Sequence, residues 1–518
     1  MAAVPKGRQP APTPPRRDSS TEPRVASDPN DPHEKRVTLL RERLLAVLRD
    51  APLNRSKVGV EVMQASDGDV LFAHNAGTQF NPASNTKMLT TAAAMSFLGG
   101  DYRYHTALYG PAPDGEGVVH GDVVLRGSGD PSLTNTDVAE VARDLARRGV
   151  TKIDGDLYAD PKFHDANKPT PNDPGVGEGA IILNRNTYAV HVRPGEVGHA
   201  AQVWVEPRAE VFGVENQATT IVGKRSRLRI DSYRKDDRLI VTVRGRITEN
   251  RGEYVDMRRL ADGSLLAGAV LKSALEDFGV ELTGKVKGGA LSAATLLGEH
   301  LSAPLSDVCR ISNKPSNNFV AEAIYKTLGG ELYGLPGTLA KGTRAVMDYL
   351  TAAGIKPSNY KIVNGSGLTH ENRITAQDLT SLLRKIFYDV SVAPEFLSSL
   401  AIAGVDGTIR NRFMNTEAVG LVRAKTGTLT GVSALSGYVG DKDDVLIFSI
   451  FVQGFRHKRT NEVRHAQVRM VQAMLSYLRA DAAAPGTDKD AEPPAEVDYE
   501  SDGEPETQKA SPSTNVAE

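Results

Sequence analysis

The chain has 518 residues, 40% hydrophobic and 24% charged, which is room for roughly two to four ordinary globular domains. Its formal net charge of −2 gives no reason to expect binding to nucleic acid or to an anionic membrane. One cysteine excludes an intrachain disulfide, no apolar run approaches the ~20 residues of a membrane span, and no paired-histidine spacing suggests zinc, so no metal or cofactor is expected.

The stretch to about Arg36 is rich in Pro, Ser and charge, lacks the apolar centre of a signal peptide, and reads as disorder. It fits either a cytoplasmic chain or an exported one whose signal was trimmed or lies upstream. Val37, Leu40, Leu44, Val47 and Leu48 then recur at helical spacing up to Pro52. Val58, Val60 and Val62 alternate, Ser66-Asp67-Gly68 turns the chain, and Val70 and Phe72 resume, which predicts a β-hairpin. Pro82 and Ala83 lead into good helix formers that continue to Leu98 and stop at Gly99-Gly100.

From 102 to 290 the texture is short strands and turns, with strands predicted at 102–108, 118–126, 152–159, 188–193, 203–205 and 227–233. The last pairs with 239–243 across Lys235-Asp236-Asp237. Helices are predicted at 137–148 and around Leu271, Leu275 and Phe278, the second closing the block. Helical texture returns at Leu301, with Cys309 at core spacing beside Leu305 and Val308. Asn313-Lys-Pro315 breaks that helix, and the next opens at Ser316 and ends at Leu328 before Gly329-Gly330. A loop at Asn364-Gly-Ser-Gly367, a strand at 421–427 and a hairpin of 432–439 with 444–452 follow. Val463, Met470, Met474 and Leu478 mark one face of a final helix, and past Ala480 the acidic, Pro-rich chain reads as a disordered tail. A hairpin and a helix at each end predict one antiparallel sheet closed by both, in an α/β (α+β) catalytic domain of 37–101 and 291–480. The β-rich block 102–290 is an insertion, and 1–36 and 481–518 are flanks.

One motif stands out in that domain. Ser84-Asn-Thr-Lys87 places a hydroxyl and an amine one helical turn apart at a positive helix terminus. By itself it is weak, because a second match, Ser358-Asn-Tyr-Lys361, exists; that one follows Pro357 in an extended context. Acyl transfer also needs a proton relay, oxyanion donors and a group to orient the substrate. Lys87 serves as base only when neutral, and burial or a second cation lowers its pKa. Lys425 of Lys425-Thr-Gly-Thr428 supplies that cation and attracts an anionic substrate end. Ser316 supplies a relay hydroxyl, and Asn318 holds Lys87 and a substrate carbonyl. Gly427 lets substrate approach the strand edge, and the backbone N–H groups of Ser84 and Thr428 form the oxyanion hole.

Ser-x-x-Lys, Ser-x-Asn and Lys-Thr-Gly in this order resemble the signature of penicillin-binding proteins and serine β-lactamases. The large block between the first two narrows the resemblance to the D-alanyl-D-alanine carboxypeptidases/endopeptidases of the peptidase S13 family, the penicillin-binding protein 4 type. Gly127-Ser-Gly-Asp-Pro131, Asn313-Lys-Pro-Ser-Asn-Asn318, Asn364-Gly-Ser-Gly-Leu368 and Ala403-Gly-Val-Asp-Gly407 agree, and the likeness spans about Val37 to Ala480. It implies a serine β-lactamase/transpeptidase-like fold and cleavage between the last two D-alanines of a peptidoglycan stem peptide through an acyl-enzyme on Ser84. It also implies endopeptidase action on D-alanyl cross-links, covalent inhibition by β-lactams, a periplasmic or extracellular location and no metal. Thr426, Gly427 and Thr428 would line the substrate strand. Asp130 matches the acidic residue that contacts the stem side chain in members that read diaminopimelate. His370 stands where those members carry an arginine, and Asn364 where they usually carry aspartate. Two other functions fit the same motifs. A β-lactamase would need a deacylating glutamate, for which Glu178…Leu183-Asn184 has the wrong spacing, and a non-catalytic β-lactam or cell-wall binding protein would have no need of Lys87.

Overall fold

The computed structural model describes residues 31–165, 181–236, 238–260, 263–292, 295–441 and 444–479. The disorder expected for 1–30 and 481–518, residues 442–443 between the two strands of the last hairpin, and Glu178 lie outside them. The described residues form two compact units. The first is drawn from Met1–Gly100, Cys309–Ala321 and Thr343–Glu518, the second from Asp101–Val308 and Glu322–Gly342.

In the first unit, Asp31 accepts the His33 amide at 2.9 Å and Pro32 takes the first helical position. The helix Pro32–Arg49 therefore starts ahead of Val37, and residues 32–36 are helical where the sequence suggested disorder. The predicted hairpin forms as Lys57–Gln64 and Val70–His74. Lys57–Gln64 also pairs along its length with Val445–Gln453, so both ends of the chain close one sheet, as expected. The six antiparallel strands run in the order Ala401–Ile402, Val422–Leu429, Val432–Gly440, Val445–Gln453, Lys57–Gln64, Val70–His74. Val58, Val60, Val62, Phe448 and Ile450 share a core with Leu40 and Leu44 of the first helix and Val463, Met470 and Met474 of the last, Thr460–Arg479. Glu61 alternates to the other face, where it accepts a hydrogen bond from Thr380 of the helix Ala376–Tyr388. Both faces are thus covered. The helix Thr86–Leu98 is buried throughout from Thr86 to Met95, which its run of small residues allows, and Gly99 ends it.

In the second unit the expected strands are shorter and more broken. Residues 118–126 divide at Gly121 into Val118–His120 and Val123–Gly127, and 152–159 divide at Gly155 into Lys152–Asp154 and Leu157–Asp160. A third pair, Glu281–Leu282 and Val286–Gly288, divides at Gly284. The first halves pair in parallel as one sheet, and the second halves join a five-stranded sheet with His105–Gly110 and Thr295–Leu301. At the corner the backbones touch. A Cβ on Gly155 would lie 2.3 Å from the Gly121 carbonyl, and one on Gly284 2.2 Å from the Gly155 carbonyl oxygen. Three strands pass from sheet to sheet together because none carries a side chain there.

Other expectations change for local reasons. The first strand starts at His105, and Tyr102 instead donates to Glu331 Oε1 at 3.0 Å. No alternation announced the strand Phe212–Ile221, whose middle is exposed, yet it pairs in parallel with Arg238–Thr248 beside the expected antiparallel partner Arg227–Lys235. The helix Gly263–Asp277 buries Leu271 and Leu275 but ends before Phe278, which is exposed, and the strands above continue the block past it. Gly329-Gly330 does not stop its helix, which runs as Asn318–Tyr333; Gly329 abuts the helix Leu339–Ala352, where a Cβ would come 2.5 Å from the Gly342 nitrogen. Cys309 is buried, as its spacing predicts, and burial pushes its thiol pKa up. Among the described residues no helix is long and apolar enough to cross a membrane.

Candidate active site

The local chemistry of Asn81 sets up the site. Its Oδ1 accepts the Ala83 amide at 2.7 Å and its Nδ2 donates to the Thr369 carbonyl at 2.8 Å. This holds the turn Ala83–Asn85, which carries Ser84 and leads straight into Thr86–Leu98. Asn85 Nδ2 then donates to the Lys425 carbonyl at 3.0 Å, fastening the turn to the strand Val422–Leu429. Gly427 makes that approach possible: a Cβ there would sit 2.7 Å from the Pro82 carbonyl oxygen and 3.0 Å from the Ser84 nitrogen. The sequence pointed to substrate as the reason for this glycine, and the structure adds the turn that carries Ser84.

Lys87 is fully buried. Its Nζ lies 3.0 Å from Ser84 Oγ, 2.6 Å from Asn318 Oδ1 and 2.7 Å from the Ser366 carbonyl oxygen. The last two atoms only accept hydrogen bonds. A neutral amine has two N–H donors and one lone pair, so donating to both leaves the lone pair for the Ser84 hydroxyl proton. Lys425, also fully buried, donates to Ser316 Oγ at 2.8 Å and to the Thr426 carbonyl at 3.0 Å. Burial foremost, then the charges of Lys87 and Arg412, hold its pKa well below the ordinary lysine value. Ser316 is in the left-handed region at φ 61, just ahead of the helix that Asn318 begins. Asn313 ties the same segment to the helix Thr86–Leu98, donating to Thr91 Oγ1 at 3.0 Å and to Ser399 Oγ at 2.9 Å.

The strand Ala401–Ile402 pairs with Ala424 and Arg423 and goes no further. Among the described residues, Lys425–Leu429 therefore keeps one edge without a strand partner, while Thr428 pairs with Ser433 on the other. An extended peptide can add itself to such an edge.

Asp130 belongs to the second unit, where it is buried and accepts the Ser132 amide at 2.8 Å and the Ser132 hydroxyl at 2.5 Å; burial raises its pKa. His370 is exposed, and its carbonyl accepts from Arg373 Nη1 at 2.5 Å. The other serine-lysine match separates plainly: Ser358 is in an exposed turn, and Lys361 pairs with Glu371 at 2.8 Å. Sequence reasoning missed Ser366 because it acts through its backbone carbonyl, and Arg412 because only the fold brings its charge beside Lys425. Among the described residues one histidine–carboxylate cluster has donor atoms close enough for a metal, Asp137, Glu140 and His300 in the second unit. His300 Nδ1 already pairs with Glu140 at 2.8 Å, and Asp137 caps its own helix through Thr134.

A Ser-x-x-Lys at the head of a central helix, set against an antiparallel sheet whose strand carries a second lysine, puts the fold in the serine β-lactamase/transpeptidase-like class. The chain belongs to the D-Ala-D-Ala carboxypeptidase 3 (S13) family, whose model matches residues 40–474. It is 34% identical over 444 residues to a D-alanyl-D-alanine carboxypeptidase of Actinomadura sp. strain R39, covering 81% of this chain and 82% of that one. It is 26% identical over 421 residues to the D-alanyl-D-alanine carboxypeptidase DacB of Haemophilus influenzae, covering 77% and 86%. The crystal structure of penicillin binding protein 4 from Haemophilus influenzae superimposes with a TM-score of 0.66 at 24% identity, over 84% of this chain and 99% of that one, and bears out the fold.

Proposed function

We propose that this protein hydrolyses the terminal D-alanyl-D-alanine bond of peptidoglycan stem peptides through an acyl-enzyme on Ser84. It is a serine-type D-alanyl-D-alanine carboxypeptidase, and the same chemistry serves an endopeptidase on D-alanyl cross-links. The observation that carries the role of Ser84 is the set of three contacts at Lys87 Nζ, through which a neutral amine donating to Asn318 Oδ1 and the Ser366 carbonyl offers its lone pair to the serine. Ser84 gives its proton to Lys87 as Oγ attacks the penultimate D-alanine carbonyl. The backbone N–H groups of Ser84 and Thr428 take the oxyanion. Ser316 passes a proton to the leaving nitrogen, the C–N bond breaks, and water hydrolyses the ester by the reverse route. Lys425, Thr426 and Thr428 receive the terminal carboxylate, and the free edge at Gly427 takes the peptide backbone. Asp130 and His370 are each candidate substrate contacts.

Family membership and this chemistry support work in the periplasm or outside the cell, where peptidoglycan lies, and β-lactams as covalent inhibitors. Benzylpenicillin is expected to leave a long-lived mass adduct on Ser84, and Ser84→Ala to abolish both the adduct and D-alanine release from defined stem peptides. Rapid, repeated penicillin hydrolysis with no trapped adduct would overturn this reading in favour of a β-lactamase. Varying the third residue of those stem peptides measures what Asp130 and His370 recognise.

A further inference from the structure

One short turn touches both the second and the third motif. Gly407–Ile409 is a single 3-10 turn preceded by Asp406, with no place so far in the chemistry. The Asp406 carboxylate accepts the Ile402 amide at 2.8 Å through Oδ1, and its Oδ2 forms an ion pair with Lys314, two residues before Ser316. The Thr408 amide donates to the Lys314 carbonyl at 3.0 Å. The half-buried Thr408 hydroxyl meets the Thr426 hydroxyl at 2.8 Å. The turn is thus anchored on the segment that presents Ser316 and reaches by one hydroxyl to the residue beside Lys425.

A hydroxyl carries one proton, so its direction is a choice. As the structure stands, the Thr426 hydroxyl donates to Thr408 Oγ1. An anion next to Thr426 reverses that bond, because a carboxylate accepts only: Thr426 must turn its proton to the carboxylate and accept from Thr408. We infer that Thr408 is a positioning residue for carboxylate recognition, donating to Thr426 Oγ so that Thr426 donates to the terminal carboxylate of the substrate. This rests on the reading above that Thr426 meets that carboxylate. The two-bond chain satisfies each oxygen, and a donor that itself accepts a hydrogen bond is the stronger donor. No covalent step is involved, and the net charge of the pair does not change.

The test compares two thioester substrates of the full-length protein, an acyl-D-alanyl thioglycolate with a free carboxylate and its methyl ester without one, by thiol release. Thr408→Val keeps the β-branched shape and removes the hydroxyl. It is expected to lower the ratio of kcat/KM for carboxylate over ester about tenfold, mainly through KM of the carboxylate substrate. Thr408→Ser, which keeps the hydroxyl, is expected to restore the ratio to within about twofold. Thr408→Ala is a second hydroxyl deletion should the valine variant fold poorly, and it carries the same expectation. A valine or alanine variant that slows both substrates equally, or neither, overturns the inference and leaves Thr408 a structural residue. Thr426→Val separates the underlying reading: if it too leaves the ratio unchanged, Thr426 does not meet the carboxylate and both statements fall. If it lowers the ratio while the Thr408 variants do not, the inference alone fails.

Discussion

The proton count at Lys87 turns a common dipeptide spacing into a chemical arrangement. A side chain buried among Asn318 Oδ1, the Ser366 carbonyl and Ser84 Oγ has two acceptors that only a donor satisfies and one partner that can give or take a proton. A second buried amine, Lys425, stands close enough for the two charges to oppose each other, and its own pKa is held well below the usual lysine range by burial and by Lys87. Lys87→Arg tests the base role, because a guanidinium stays protonated and offers no lone pair. The rate of acylation by penicillin, followed by adduct mass against time, is expected to fall by at least about a hundredfold. Acylation at the parent rate would show that Lys87 is not the base.

Between elements, glycine decides what the strands of the second unit can do. Residues 118–126 and 152–159 have the composition of single strands, yet each bends at a glycine whose backbone lies against the next. Gly121 has φ 125, a conformation side chains disfavour, and a Cβ on Gly155 would fall 2.3 Å from the Gly121 carbonyl. The neighbour is backbone and cannot rotate away. Gly155→Ala is expected to destabilise the protein by about 1–3 kcal/mol or more, read as a lower thermal midpoint. Acylation of Ser84 per folded molecule should persist, since Ser84 belongs to the other unit. An unchanged midpoint would mean that the corner relaxes and that close approach does not require glycine.

On the scale of the whole molecule, each of the two units has its own core, one around the sheet that both chain ends close and one around the strands of the second unit. The second contains a buried histidine with a consequence for acid stability. His164 hydrogen-bonds Thr327 Oγ1 at 3.2 Å, and burial, helped by the Lys326 charge, pushes its pKa from 6.5 down to about 3. The folded ring stays neutral through a range in which the unfolded ring is protonated. Stability is therefore complete above pH 6.5 and drains away as pH falls from 6.5 to about 3, by up to roughly 5 kcal/mol. Urea midpoints should decline over that window, and His164→Gln should flatten the decline while lowering stability at neutral pH. The same slope in both proteins would assign acid sensitivity to other groups.

Much of this was legible along the chain. The terminal hairpins, the helix behind Ser84, the buried Cys309 and the family membership follow from periodicity, turn residues and motif order, all of which express local backbone preference or residue type. Ser84, Lys87, Ser316, Asn318 and Lys425 were candidates because their chemistry depends on what their side chains are. What remained hidden depends on neighbours far apart in sequence: the Ser366 carbonyl that fixes Lys87, the Arg412 charge near Lys425, the hydroxyl of Thr408 against Thr426, and the glycines that bend strands or let helices touch instead of ending them. A backbone carbonyl has no letter in the sequence, and a glycine reads the same whether it frees a turn or admits a neighbour. Residue type determined which groups could do the chemistry; only tertiary packing decided which lone pair, which edge and which proton each of them presents.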